Sequence, residues 1–212
     1  MKKSSDLQGE AMQADARTIG HEIQKEAKIM AAAIAAKANQ TCKSIDAQKH
    51  IIGKNIDAET ALSQGFLTAA YTMDYLQAMH DASPSIIAKD GDDVVGYVLV
   101  ATKEVRNGHD LIADLFNVID TKYYKGKCLK KVNYVVVGQL CVAKEYRGQG
   151  LVKRMYDYYQ DCYAAAYEYL ITDVAQANTR SLNAHKKSGF IVIDTLVYAG
   201  IDWDIVLWDW KK

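Results

Sequence analysis

Apolar side chains recur at Met12, Ala16, Ile19, Ile23, Ala27, Met30 and Ile34, in steps of three and four with no proline among them. That spacing predicts one long amphipathic helix over about 6–40, with Arg17, Glu22, Lys25, Glu26 and Lys28 on its other faces. Two shorter helices are expected between about 44 and 82, with Ser44 or Asp46 to cap the first and Thr72 the second. At Ser85 the period changes to two. Ile86–Ala88, the turn residues Asp90-Gly91-Asp92-Asp93 and the run Val94–Val100 read as a β-hairpin.

Residues 103–131 are polar and irregular apart from an amphipathic stretch at Leu111–Ile119, and suit either a substrate-covering loop or a plain connector. A strand follows over Tyr134–Val142, and the glycine of Gly138-Gln139 marks a bulge inside it. The turn Arg147-Gly148-Gln149-Gly150 opens a helix from Leu151 to about Tyr167, in which Tyr156, Tyr159 and Tyr163 share a face and are expected in the core. A strand at Tyr169–Val174, a helix from near Ser181 to Gly189 and closing strands at Phe190–Tyr198 and Asp202–Trp210 finish the chain. From 85 on, the order is β-β-β-α-β-α-β-β, an α/β sandwich. Trp210 falls where it either caps the sheet or makes a homodimer contact.

Composition narrows the class. Lys+Arg 26 against Asp+Glu 26 in 212 residues gives zero net charge, and half the residues are hydrophobic, with Pro84 the single proline. This is globular rather than disordered, and it excludes a protein that holds nucleic acid through bulk positive charge. Lys2 and Lys3 are followed by polar residues, and the apolar stretch Ile29–Ala36 is far shorter than the ~20 residues of a membrane span, so neither a signal peptide nor a membrane segment is expected. Cys42, Cys128, Cys141 and Cys162 form no C-x-x-C pair and have no histidine at ligand spacing. No metal site is expected, and reduced thiols point to a cytoplasmic protein. Cys141 reads as a small buried thiol, not a nucleophile.

Charge is uneven along the chain: residues 144–154 carry four basic groups against Glu145. A strand that ends in a two-glycine turn and feeds a helix presents unpaired N–H groups at the positive end of the helix dipole, an arrangement that holds phosphate oxygens. No Gly-Lys-Ser/Thr follows, so the turn is not a Walker loop, and the dinucleotide fingerprint is incomplete.

Arg147-Gly148-Gln149-Gly150-Leu151-Val152 resembles the Arg/Gln-x-x-Gly-x-Gly/Ala pyrophosphate loop of the GNAT superfamily of N-acetyltransferases, with Val152 at the usual small position. The run from Asn178 through Ser181 and His185-Lys186-Lys187-Ser188-Gly189 to Phe190 is similar to the family's second element, Asn-x-x-Ser followed by Tyr/His-x-Lys-x-Gly-Phe. The resemblance covers about residue 45 to the end. It implies a GNAT-type α/β fold with a mixed central sheet flanked by helices, the N-terminal helix standing in place of the family's first strand. The chain then divides into an N-terminal helical extension, 1–43, and a GNAT acetyltransferase domain, 44–212.

The same resemblance implies acetyl-CoA as co-substrate and a primary amine as acceptor, attacked directly in a ternary complex. A small-molecule amine is the leading expectation. A protein lysine or N-terminus, and a non-catalytic acyl-CoA sensor, are the alternatives. Leu140, Cys141 and Val142 would pair with the pantetheine and polarise the thioester. Arg147 and the backbone of Gly148, Gln149, Gly150, Leu151 and Val152 would hold the pyrophosphate. Asn178 and Ser181 would meet the pantetheine arm, and Lys187 or Lys153 the ribose phosphate. His185, at the family's tyrosine position, is either the acid for the leaving thiolate or a packing residue. Asp173 and Glu145 are the candidate bases, with a water relay as the alternative.

Overall fold

A computed structural model describes residues 71–198 and 200–211. The helix expected over 6–40, the first short helix, Cys42 and the boundary at 43/44 lie outside the described residues.

Thr72 caps the first described helix, α1 (Met73–Ala82), its hydroxyl accepting from the Tyr75 N–H at 3.2 Å. The hairpin forms as expected from β1 (Ile86–Asp90) and β2 (Asp93–Ala101), closed by Gly91-Asp92 with Gly91 at φ 56°. The segment 103–131 is more regular than its polarity implies. A 3-10 turn at Lys103–Gly108 leads to α2 (Asp110–Asp120), followed by a miniature hairpin of β3 (Tyr123–Tyr124) and β4 (Lys127–Cys128). Ile112, Leu115, Phe116 and Ile119 of α2 are buried, so this helix is a layer of the core and not a loose cover.

The remaining elements are β5 (Tyr134–Val142), α3 (Leu151–Tyr163), β6 (Tyr169–Ala175), α4 (Thr179–Ser188), β7 (Ile191–Tyr198) and β8 (Ile201–Asp209). Helix α3 stops at Tyr163, short of the expected Tyr167. The chain must leave the helix there because Glu168 donates to the Asn133 carbonyl at 2.7 Å and Tyr169 pairs with Tyr134. The six-stranded sheet has the order β1-β2-β5-β6-β8-β7, antiparallel except for β5 beside β6.

Two apolar layers sandwich it. Tyr97, Val136, Ile171, Ile205 and Leu207 face α1 and α2, while Val135, Val137, Leu170, Val206 and Trp208 face α3 and α4. Tyr156 and Tyr159 are fully buried, and Tyr163 packs on Tyr159 with ring centroids 4.5 Å apart. Trp210 is buried against Tyr159, ring centroids 5.8 Å apart, and so caps its own sheet. Among the described residues no helix is long and apolar enough to cross a membrane.

Candidate active site

The two parallel strands at the centre of the sheet pair only over Tyr134–Val136 and Tyr169–Ile171. The last link is the Thr172 hydroxyl, which donates to the Val137 carbonyl at 2.9 Å; beyond it β5 and β6 part. A bulge sits at that point, as the glycine implied. Opposite β2, Leu99 pairs with Gln139 and Val100 with Val137, which leaves Gly138 as the extra residue. Its carbonyl accepts from the Tyr71 hydroxyl at 2.9 Å. A Cβ at 138 would lie 3.0 Å from Tyr71 Oη and 3.3 Å from Ile112 Cδ1, a crowding that only glycine avoids. The far half of β5 stays paired to β2 on one edge. Its other edge, past the end of the pairing with β6, faces the opening.

The opening is a cleft of about 940 Å³ between β5 and β6, walled by α3 and α4. Leu140, Cys141 and Val142 line it from β5, and Arg147, Gly148, Gly150, Leu151, Val152 and Lys153 from the turn and α3. Asn178, Ser181 and Lys187 line it from the α4 side. Gln149 does not: its side chain folds back to donate to the Glu145 carbonyl at 2.9 Å. Lys186, exposed, also lies outside the cleft lining.

Gly148 and Gly150 both stand at φ 76°, yet a Cβ on either would meet nothing within 4 Å. The demand there is conformational, a left-handed backbone, and not steric. Gly150 is the N-cap of α3 and contributes no side-chain bond, so the first-turn N–H groups of the helix have no side-chain cap. Arg147 donates from Nε to the Val142 carbonyl at 3.0 Å, which ties the turn to the end of β5. Burial and the Arg147 guanidinium both push Arg180 down from its ordinary pKa. Two guanidiniums in mutual repulsion beside an uncapped helix N-terminus fit a polyanionic phosphate group. Lys153 is engaged with Asp157 at 2.6 Å. The Asn178 Oδ1 accepts from the Ser181 N–H at 3.1 Å and so caps α4.

Of the candidate catalytic groups, Asp173 and His185 line the cleft and Glu145 does not. Asp173, one residue past the last link between the strands, lines both the cleft and a second pocket of about 100 Å³ under α2. Burial pushes its carboxyl up to about 6, against the pull of its own backbone N–H. Glu145 is exposed in a 3-10 turn at Lys144–Tyr146 and lines neither opening. His185 lines the cleft from α4. It is 3 % exposed, and its Nδ1 lies 2.8 Å from the Ser181 carbonyl, an acceptor that requires the proton on Nδ1. Nε2, 2.8 Å from the Tyr156 hydroxyl, then accepts from it. Burial pushes the imidazole down to about 4, so the ring is neutral, with both nitrogens engaged where it borders the cleft.

Tyr71, Thr172 and Trp203 belong to the site and were not singled out as site residues by the sequence. Trp203, with Asp173, Val137 and Gly138, lines both openings. Alternation along 202–210 puts Trp203 on one sheet face but does not say what covers it. For Tyr71 the available signal is an apolar residue directly ahead of the N-cap Thr72, a position that often packs inward.

The chain matches the acetyltransferase (GNAT) family over residues 55–190, and it belongs to that family. Among solved structures, a GNAT-family acetyltransferase from Streptococcus agalactiae 2603 is similar at 12% identity and TM-score 0.53, covering 84% of this chain and 92% of that one. Chaetomium thermophilum Naa20, solved in complex with a bisubstrate analogue, is similar at 14% identity and TM-score 0.51, covering 71% of this chain and 80% of that one. Identities this low speak to fold alone. No curated protein matches the chain.

Proposed function

We propose that the chain is an acetyl-CoA-dependent N-acetyltransferase acting on the primary amine of a small molecule. The observation that carries this reading is the place of Asp173, where the cleft between the parted strands meets the pocket under α2. The cleft fits coenzyme A by its size, its run of strand edge on β5 and its glycine turn at an uncapped helix end. The backbone of Gly148–Val152 and the Arg147 side chain hold the pyrophosphate. The cleft-facing edge of Leu140–Val142 holds the pantetheine amides and polarises the thioester carbonyl.

Bound acetyl-CoA supplies an acetyl thioester, from which the amine takes the acetyl group as a C–N bond forms, a C–S bond breaks and a thiolate leaves. Asp173 takes the proton from the incoming ammonium; a carboxylate with a pKa near 6 is ionised at neutral pH yet more basic than an ordinary one. The second proton that the nitrogen sheds on acylation passes to the thiolate through solvent, and no dedicated acid is needed for a thiol of ordinary pKa about 8.5.

Calorimetry with acetyl-CoA tests the reading: saturable one-to-one binding is expected, and no binding refutes it.

A further inference from the structure

The pocket under α2 has a composition of its own. Trp203 pairs across the sheet with Leu196 on one side and with Ala175 on the other, two residues on from Asp173. Asp173, Trp203 and Leu196 therefore project from one sheet face as direct or diagonal neighbours. Leu115 and Val118 of α2 cover them. Among the described lining residues the charged groups are both carboxylates, Asp173 in the floor and Asp114 exposed at the mouth, with no lysine, arginine or histidine. The volume is about 100 Å³, smaller than an engineered cavity of about 150 Å³ that holds benzene, and so takes a carbon body of about four heavy atoms.

Resting on the acetyltransferase reading, we propose that this pocket selects its acceptor as a compact primary amine with an apolar carbon body and no anionic group. The ammonium meets Asp173, and the carbons lie between Trp203, Leu196 and α2. The size limit comes from the covering of Leu115 and Val118. The charge limit comes from the two carboxylates, because a third negative group would enter a poorly solvated space beside Asp173 with no cation among the described lining residues to meet it. Amino acids and other carboxylate-bearing amines are excluded on this account, and long-chain amines are excluded by length.

The test compares n-butylamine, 4-aminobutyrate and n-octylamine as acceptors by thiol release. Their binding to the full-length protein saturated with coenzyme A is measured in parallel by calorimetry. n-Butylamine should exceed 4-aminobutyrate by at least about 100-fold in kcat/KM, and n-octylamine by at least about 10-fold. Leu196→Ala, which lengthens the pocket, should narrow the gap to n-octylamine by about 10-fold, and Val118→Phe, which fills it, should weaken n-butylamine by a similar factor. Acetyl-CoA affinity should stay unchanged in both, since neither residue lines the cleft. Equal turnover of the three amines, or a preference for 4-aminobutyrate, overturns the pocket assignment and leaves the acetyltransferase reading standing. Binding of acetyl-CoA with no thiol released by any amine overturns both.

Discussion

Tyr156 Oη and His185 Nε2 lie 2.8 Å apart, both fully buried, and join α3 to α4. The imidazole also stacks edge-on to Phe190 with ring centroids 5.0 Å apart. Because α3 carries the glycine turn and α4 the Asn178 cap, this pair sets the spacing between the two walls of the cleft. This geometry gives His185 a positioning role, which His185→Phe tests.

His185→Phe should therefore leave the pH profile of kcat unchanged while lowering stability by about 1–3 kcal/mol, the cost of a buried Tyr156 hydroxyl without a partner. The histidine's folded pKa lies below its unfolded value, so between about 6.5 and 4 the unfolded chain binds more protons and stability falls as pH falls. Urea denaturation at pH 7 and pH 4.5 should show a wild-type advantage over His185→Phe that shrinks toward acid. Loss of a limb of the kcat profile would return a chemical role to His185.

Asp173 titrates with the opposite sign. Its folded pKa is raised, so between about 4 and 6 the folded chain binds more protons and stability falls as pH rises. Asp173→Asn should melt no lower than wild type at pH 7.5, and higher if the carboxylate is ionised there without a partner. Its kcat should drop by about 100-fold or more, and the wild-type rise in rate through pH 6 should vanish. A near-wild-type kcat would hand proton removal to a water relay.

At the glycine turn, Gly150→Ala places a side chain at φ 76°, a strain of about 1–2 kcal/mol with no clash to add to it. Calorimetry should find acetyl-CoA bound about 10-fold more weakly as the turn relaxes and its N–H groups swing away. Unchanged affinity would mean that the backbone of this turn does not hold the phosphates.

Gly189→Ala is a test of packing instead. Gly189 stands at φ 111°, and a Cβ there would come within 2.5 Å of Trp208 Nε1. Backbone strain and the displaced indole together should cost about 3 kcal/mol or more, read as a lower urea midpoint.

The elements that depend on near neighbours in the chain were legible in the sequence. Gly91 closes the hairpin, Gly138 makes the bulge, Thr72 caps α1, and Gly148 and Gly150 shape the turn, each because a local backbone demand has a residue type that answers it. The faces of α3 were legible too, through the spacing of Tyr156, Tyr159 and Tyr163. What distance along the chain hides was not legible. Tyr156 and His185 are 29 residues apart, and no periodicity says that the histidine, while bordering the cleft, is held by the tyrosine hydroxyl. Asp173 and Glu145 were equivalent as acids in the sequence; the parting of β5 from β6 separates them. The amphipathic stretch Leu111–Ile119 marked the apolar face of α2, but not that this face is a layer of the core, and Trp203 and Tyr71 joined the site only once the sheet order was known.

The most direct test of the central claim mixes the protein, acetyl-CoA and n-butylamine and follows free thiol together with N-acetylated amine by mass spectrometry. The account predicts the two products in equal amounts, at a rate that rises as pH passes 6 and that Asp173→Asn lowers by about 100-fold or more, with the pH rise gone. Tight binding of acetyl-CoA with neither product formed from any primary amine would contradict it.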